Sequence, residues 1–431
     1  MKYNFFIQVF FLFVLLNACS NPAKNTKNHK DTVTCLEDII IQADTCVHQN
    51  GLAIQTNLVY SDISAIKKLF CCAKQIKYLS LDAQSMTDQN LKALAQFQYL
   101  ETLRIKNIQK LPQVIFQLPS LTNLELSVEP GFPDVILPDT LQTLTTIKHV
   151  SLMGFDEFPN TILTLPQLQS LAISLDVSNN QNKTNYLPTS LSKVKTLESI
   201  YLGYFQAFPK VLLDLPQLKS LKIEESKITI PPQIDHIKNL EFLDLMGNDF
   251  TSIPASLGNL TQLNTLFLPA LKQFPVTLGN LKALRYFKIY RNQSSPGKQL
   301  PDMLKGMINL EELTVMDADF PTFDKIAQSL KNLHHLKIFS YIGDLEAIPT
   351  EVYQLTQLEE LYLRKNIYKG EQLKEVSIPK GFANLGQLKV LSLVDMNLKS
   401  LPPDISTLKN LTQLNLRGSE MENYLITKTN Q

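Results

Sequence analysis

The residues of this 431-residue chain best suited to metal binding or acid–base catalysis are its six histidines, and they are scattered: His29, His48, His149, His236, His334 and His335. His334 and His335 fall in a predicted strand, where consecutive side chains point to opposite faces, so they cannot share one site. The sequence contains no catalytic triad, metal-ligand spacing or glycine-rich phosphate loop. We therefore predict that the protein is not an enzyme and holds no metal and no cofactor.

Composition and charge narrow the class of partner. Hydrophobic residues make up 44% of the chain and charged residues 19%, which is typical of a folded protein. The 41 basic residues nearly balance the 40 acidic ones, and no long block of either sign occurs. Because nucleic-acid binding needs a basic patch or stripe, we predict no nucleic-acid partner.

The amino-terminal stretch MKYNFFIQVFFLFVLLNAC has one early lysine and then an apolar core from 5 to 16. Twelve helical residues reach about 18 Å, short of the ~30 Å hydrocarbon core of a bilayer, so a cleaved export signal over 1–18 is expected. The sequence 16–19, Leu-Asn-Ala-Cys, resembles the lipobox of bacterial lipoproteins. An ordinary signal peptide followed by a chance cysteine is the alternative.

The lipobox resemblance implies that Cys19 is lipidated and becomes the first residue of the mature chain. The protein would then be exported and anchored to a membrane of a bacterial envelope through this lipid. Ser20 is compatible with sorting to the outer membrane, and the sequence leaves open which side of that membrane the chain faces. The polar stretch up to residue 31 can bury little and is expected to be a flexible tether, so that 19–31 joins the lipid to the folded part.

The remaining cysteines, Cys35, Cys46, Cys71 and Cys72, all precede the repeats described below. An exported protein folds in an oxidising compartment, so at least one disulfide among them is expected. Adjacent cysteines seldom bridge one another, but the order of pairing stays open. Four buried thiols are the alternative.

One phrase, L-x-x-L-x-L, recurs along most of the chain and organises it. We count positions from the first apolar residue of each copy, so that positions 1, 4 and 6 are apolar. Fifteen copies are found, spaced 21 to 30 residues apart. They begin at residues 76, 100, 121, 147, 168, 197, 218, 240, 263, 284, 310, 333, 358, 388 and 411.

Residues 76–416 resemble a leucine-rich repeat array of the typical 23-residue class, which carries an asparagine at position 9 and then a leucine-proline segment. Asn248, Asn292 and Asn366 occupy position 9, whereas other copies hold Ser226, Ala318, Met396 or Ser419. The resemblance implies an α/β-type solenoid shaped as a horseshoe, with about fifteen turns. Its concave side would be a parallel β-sheet and its convex side irregular or built of short helices.

The ends of such an array expose apolar core and need covering. Residues 32–75 are interpreted as an amino-terminal cap that contains the cysteines and a helix-like run over 58–75. Residues 417–431 provide at most a short carboxy-terminal cap or tail.

Positions 3, 5 and 7 of each copy are expected on the concave face, since alternate side chains of a strand share a face. Aromatic and methionine side chains interleaved with charges dominate these positions from the eighth to the thirteenth copy. A protein-binding surface has this composition. Strand preference for aromatic residues is the alternative explanation. The candidate binding residues are Phe242, Met246, Phe267, Tyr286, Tyr290, Met316, Phe339 and Tyr362.

The sequence therefore predicts a non-enzymatic, membrane-anchored protein that recognises a protein or long peptide through its concave face. One alternative is a structural or envelope-assembly repeat protein without a dedicated ligand. Another is a secreted, host-directed effector, which would not need Cys19.

Overall fold

The computed structural model describes residues 54–60, 73–74, 76–84, 86, 91–129, 135–155, 157–175, 187–249, 251–290, 302–316, 323–367 and 374–419. The predicted signal peptide, Cys19, the tether and the four candidate disulfide cysteines lie outside these residues. So do most of the predicted amino-terminal cap and nearly all of 417–431.

The described strands form a single parallel sheet in which neighbours in the chain are neighbours in space, from β1 to β16. The strands are β1 (Ile54–Tyr60), β2 (Ile76–Asp82), β3 (Thr102–Lys106), β4 (Asn123–Ser127), β5 (His149–Phe155), β6 (Ser170–Leu175), β7 (Ser199–Gly203), β8 (Ser220–Glu224), β9 (Phe242–Asp244), β10 (Thr265–Pro269), β11 (Tyr286–Tyr290), β12 (Glu312–Met316), β13 (Ile338–Gly343), β14 (Glu360–Lys365), β15 (Val390–Val394) and β16 (Gln413–Asn415). Strands β2 to β16 correspond to the fifteen predicted copies. The predicted horseshoe solenoid is confirmed.

Within the described ranges, the strands from β2 to β15 are followed by return segments on the convex side, most often with a short 3₁₀ helix. The 3₁₀ helices are Lys92–Gln96, Gln113–Gln117, Asp139–Thr143, Asn160–Thr164, Thr189–Lys193, Lys210–Asp214, Pro232–His236, Ala255–Asn259, Val276–Asn280, Asp302–Gly306, Thr350–Gln354, Phe382–Asn384 and Pro403–Thr407. Helix α1 (Phe323–Leu330) takes the place of a 3₁₀ helix before β13. The prolines of the repeat precede these helices in extended backbone, as at Pro254 with φ −70° and ψ 148°. Because proline fixes φ and lacks an N–H, it suits the entry into a helix.

The core lies between the sheet and the return segments. Leu240, Leu243 and Leu245, at positions 1, 4 and 6 of one copy, are fully buried, and the same positions are buried in the other copies except at Leu411, which begins the last copy and is half-buried. A single turn cannot cover its own leucines, so the core exists only because turns stack on one another.

The sheet begins one strand earlier than the repeats. Strand β1 pairs in parallel with β2 through Ile54 opposite Ile76 and Tyr60 opposite Leu81. The helix predicted over 58–75 is therefore wrong for residues 58–60, which complete β1. The free edge of β2 offers backbone partners that a strand can use and a helix cannot, and this tertiary pairing overrides the local helical spacing. Residues 73–74 form a turn, and the rest of 61–75 lies outside the described residues.

The frame of one copy also differs from the predicted one. In β13 Ile338 pairs with Glu312 and Phe339 with Leu313, so the copy begins at Leu336 and not at Leu333. The run from 333 to 341 admits both frames, since it offers apolar residues at 333, 336, 338, 339 and 341. Leu333 instead closes the preceding turn, where its carbonyl accepts from Leu336 N–H at 3.1 Å. His334 and His335 consequently lie in that turn and not in a strand.

Position 9 links neighbouring turns where it holds Asn248 or Ser226. The Asn248 amide donates to the carbonyls of Ile223 and Leu245, at 2.6 and 2.7 Å. Ser226 Oγ accepts from the N–H of Phe205 at 2.8 Å. Buried backbone groups of three successive turns are thereby satisfied by two side chains.

Position 2 carries charges of alternating sign, interrupted by the uncharged Thr122, Gln169, Asn264 and Thr412, and we call this column the charge ladder. Lys77 pairs with Glu101, Glu198 pairs with Lys219, and Glu359 pairs with Lys389. Glu311 lies between Arg285 and Lys337 and pairs with both. Opposite charges on neighbouring rungs of a sheet contribute modestly to its stability.

No helix within the described ranges is both long and apolar enough to cross a membrane.

Candidate functional site

The register of the sheet lines up positions 3, 5 and 7 of successive copies into three columns on the concave face. Thr265, Tyr286, Glu312 and Ile338 are consecutive members of the position-3 column. Neighbouring members are ~4.8 Å apart, the spacing of hydrogen-bonded strands. Side chains from many turns therefore form one continuous surface.

The half of this surface formed by β2–β8 is polar and mostly small. Ser151, Ala172, Ser170 and Ser199 form its floor at β5–β7. Burial raises the pKa of the Glu125 carboxyl, and the nearby Arg104 guanidinium partly offsets that effect. Such a surface offers few apolar anchors to a protein partner.

The half formed by β9–β16 has a different character. Phe242 and Phe267 lie edge to face with ring centroids 5.7 Å apart. Tyr286 and Tyr290 follow on the next strand and remain 36% and 37% exposed. We call Phe242, Phe267, Tyr286 and Tyr290 the aromatic patch. Its four side chains lie on three successive strands, and all of them remain partly exposed.

Lys288 joins the aromatic patch to the next strand. Its Nζ lies 5.4 Å from the centroid of the Phe267 ring and 2.7 Å from Glu312 Oε1. A cation over an aromatic face is attracted to the ring electrons, and the Glu312 carboxylate fixes its direction. Lys288 is therefore held in place and its charge is largely neutralised by its own chain.

Asp244 is almost completely buried between β8 and β10 beside the aromatic patch. Burial raises the pKa of its carboxyl to about 6, although the Met246 N–H and the Lys222 ammonium both favour the charged form. The Met246 N–H donates to Asp244 Oδ1 at 2.9 Å, and Lys222 Nζ lies 3.9 Å from Oδ2. Met246 itself follows the short strand β9 in a turn and is half-buried.

Phe339 does not belong to this surface, contrary to the prediction. It occupies position 4 of its copy, is completely buried, and its ring stacks on that of Phe323 at 5.9 Å. The concave positions of β13 are filled instead by Ile338, Ser340 and Ile342.

Ile338 and Ile342 were hidden by the misplaced frame, yet the sequence contains a signal for them. The copy at 310 is preceded by apolar residues three and six positions earlier, Met307 and Leu304. Leu336 is preceded in the same way by Leu333 and Leu330. This spacing of the return segment identifies Leu336 as position 1.

The remaining candidates, Met316 and Tyr362, line a shallow concavity over β11–β16 that we call the concave groove. The Tyr362 hydroxyl donates to Glu360 Oε2 at 2.7 Å. Burial and this carboxylate raise the pKa of Tyr362 to about 12. The groove is lined by Lys288, Tyr290, Glu312, Thr314, Met316, Ile338, Ser340, Ile342, Glu360, Tyr362, Leu363, Arg364, Ser392, Val394 and Arg417.

Among the described residues, no cluster of three or more histidine, cysteine, aspartate or glutamate side chains could hold a metal ion. Over β9–β16 the concave face is made of partly exposed apolar side chains with charged groups between them.

Comparison with known proteins agrees with the repeat architecture. Residues 206–368 match the family model described as a leucine-rich repeat region. The volume-regulated anion channel subunit LRRC8A of Homo sapiens is 27% identical over 203 residues, which are 46% of this chain and 24% of that protein. Receptor-like protein 41 of Arabidopsis thaliana is 32% identical over 165 residues, or 36% of this chain and 17% of that protein. The chain thus spans a quarter or less of these relatives.

A solved structure extends the similarity to most of the chain. A leucine-rich repeat protein of Leptospira interrogans superposes with a TM-score of 0.57 at 22% identity, covering 84% of this chain and 95% of that one. At this identity the likeness concerns the fold alone. Repeat spacing, strand register and the family match over 206–368 together establish that this chain is built as a leucine-rich repeat solenoid.

Proposed function

We propose that this chain is a non-enzymatic recognition protein that binds another protein or a long peptide through the β9–β16 half of its concave face. The observation that carries the proposal is the run of partly exposed apolar side chains on successive strands, from Phe242 through Tyr290 and Ile342 to Tyr362. A soluble protein seldom exposes such a patch without using it.

The sheet itself favours this role. Its side chains are fixed by a ladder of backbone hydrogen bonds and by the core beneath, so that little conformational entropy is lost when a partner binds. The pairing of Lys288 with Glu312 and of Tyr362 with Glu360 holds polar groups in defined directions between the apolar ones. Defined polar groups around apolar anchors provide specificity.

The test is a binding experiment with the full chain beside a triple variant, Phe267→Ser, Tyr290→Ser and Tyr362→Ser. Proteins retained from envelope and culture-medium extracts are identified, purified and titrated by calorimetry against both forms. The matched control replaces three exposed apolar residues outside the concave face, Tyr99→Ser, Val276→Ser and Ile308→Ser. Circular dichroism checks that all forms are folded.

A partner that binds the wild type and the control at least tenfold more tightly than the concave variant supports the proposal. Equal affinity for all three forms moves the binding site off the concave face. If no purified partner binds any form, a structural or envelope-assembly role becomes the better explanation.

We further propose that the chain is exported and anchored to a membrane through lipid on Cys19. The test is to grow cells with an alkyne-labelled fatty acid and to detect the label on the protein. The support is the sequence 16–19 that resembles a lipobox. We expect label on the wild-type protein, which partitions with membranes, and no label after Cys19→Ala. Label that persists in the variant would contradict lipidation at Cys19.

The disulfide predicted among Cys35, Cys46, Cys71 and Cys72 is tested by mass spectrometry of non-reduced peptides.

A further inference from the structure

We propose that the concave groove takes an extended polypeptide segment of about seven residues, apolar where it crosses β11–β13 and acidic where it crosses β14–β16. This inference rests on the proposed function, because it names the chemistry of the partner at the same face. The charges and apolar side chains along one rim of the groove carry it.

The position-7 rim is apolar over three successive strands. Tyr290, Met316 and Ile342 lie side by side on β11, β12 and β13, and each remains partly exposed. The floor beneath them is low, because position 5 holds Thr314 and Ser340, whose short side chains are buried. A partner's backbone can therefore come close to the sheet while its apolar side chains meet this rim.

The same rim becomes cationic over the last three turns. Arg364, Val394 and Arg417 line the groove there. Asp395 accepts from Arg364 Nε at 2.8 Å, yet the Arg364 side chain remains 49% exposed. Arg417 is exposed, and no ion pair involving it is found within the described part of the chain. Guanidinium groups bind carboxylates through paired hydrogen bonds, so an acidic side chain or chain end is the complementary group.

The acidic groups of the opposite rim do not cancel this preference. Glu312 is paired with Lys288 at 2.7 Å, and Glu360 accepts the Tyr362 hydroxyl. Both carboxylates are engaged within the chain at position 3, on the side of the groove away from the arginines. Glu360 keeps its negative charge, but it lies four residues along β14 from Arg364, about 13 Å away. Arg364 shares its charge with Asp395, so the cations that a partner meets on the position-7 rim are the half-exposed Arg364 and the exposed Arg417.

The length follows from the spacing of the strands. From Tyr290 to Arg417 the rim crosses five strand-to-strand steps, about 24 Å at ~4.8 Å each. An extended chain covers about 3.3 Å per residue, so about seven residues span the groove.

The experiment measures fluorescence anisotropy of labelled nonapeptides with the full chain in mild detergent. Two acidic peptides carry three leucines, a Gly-Ser-Gly spacer and three glutamates, one in each direction. Two matched peptides carry lysine in place of glutamate. We expect one acidic peptide to bind saturably, and both lysine peptides to bind at least tenfold more weakly.

Variants locate the interaction. The double variant Arg364→Gln with Arg417→Gln is expected to weaken binding of the acidic peptide at least tenfold. The variant Arg417→Glu is expected to bind the lysine peptides more tightly than the acidic ones. Arg285→Gln is the control, since Arg285 is exposed but belongs to the charge ladder outside the groove. Absence of saturable binding by either acidic peptide, equal binding of the lysine peptides, or equal loss with the control overturns the inference. If a purified partner still depends on Phe267, Tyr290 and Tyr362, the proposed function stands while this inference fails.

Discussion

The backbone N–H of Ser226 donates to Oδ1 of Asn248 across two neighbouring turns, at a distance of 2.9 Å. The same amide group donates from Nδ2 to the carbonyls of Ile223 and Leu245. All four groups are buried, so one side chain satisfies backbone groups at or just beyond the ends of strands β8 and β9.

Asn248→Ala is expected to lower the free energy of unfolding by about 2–4 kcal/mol, because it leaves several buried backbone groups without a partner. Urea denaturation of wild type and variant measures the change. Asn239→Ala is the control, since Asn239 is exposed and donates to a single carbonyl, that of Pro216. A comparable loss of stability in both variants would show that the hydrogen bonds of Asn248 between turns contribute no more than the single bond of Asn239.

Asp244→Asn is expected to stabilise the protein at pH 7.5 by about 1–3 kcal/mol. The pKa of Asp244 is raised from 3.8 to about 6 by burial, so the folded state holds its proton more tightly than the unfolded chain. Its contribution to stability is therefore full below pH 4 and declines as pH rises through 6. Asparagine keeps an oxygen that can accept from the Met246 N–H while removing the buried charge.

The measurement is the difference in melting temperature between wild type and Asp244→Asn from pH 4 to pH 8. We expect this difference to grow between pH 4 and pH 6 and then to stay constant. Asp214→Asn, at an exposed position of a convex 3₁₀ helix, should leave the profile unchanged. A pH-independent difference for Asp244→Asn would contradict the raised pKa.

Phe339→Ala should reduce stability by about 3–5 kcal/mol, as the loss of a fully buried aromatic side chain does. Tyr290→Ala, at an exposed concave position two strands away, should change it by less than about 1 kcal/mol. Thermal unfolding followed by circular dichroism compares the two. If the Phe339 variant is as stable as the Tyr290 variant, Phe339 does not occupy a core position and Leu336 does not begin its copy.

Gly154→Ala is expected to destabilise by more than about 2 kcal/mol. Gly154 has φ +75°, and an added Cβ would lie 2.0 Å from the Val128 carbonyl oxygen. Gly386→Ala is the matched case: no atom lies within 4 Å of the added Cβ, so its stability should be equal or slightly higher. Chemical denaturation of both variants checks the contrast, which would be refuted by similar effects.

Most of the fold could be predicted from the sequence because the apolar spacing of a solenoid is local. Leu240, Leu243 and Leu245 are within six residues of one another, and this spacing alone assigns a strand and its buried face. Once the register is known, the columns of the concave face follow. The place of the aromatic patch in these columns could therefore be predicted from positions 3, 5 and 7 of the copies at 240, 263 and 284.

The sequence is insufficient where the local apolar spacing admits two frames or where contacts between turns determine the structure. Phe339 falls on the surface only if Leu333 is taken as position 1; the strand's own spacing admits both Leu333 and Leu336, and the pairing with β12 agrees with the return-segment spacing in favour of Leu336. Strand β1 cannot be predicted from the repeat, because its residues lack the leucine pattern and pair with the edge of β2. The partner choice of Lys288, between the Phe267 ring and Glu312, depends on side-chain rotamers that spacing does not fix.

The charge ladder favours the correct order of turns when the solenoid folds. Fifteen turns with nearly the same leucines could stack with one turn skipped, and the packing of the hydrophobic core would change little. The alternating charges at position 2 make the same mistake unfavourable. If β12 were skipped, Arg285 would lie beside Lys337, whereas in the correct order Glu311 lies between these two cations. The charge ladder therefore disfavours a stacking order in which this turn is skipped, although the hydrophobic core would accept that order.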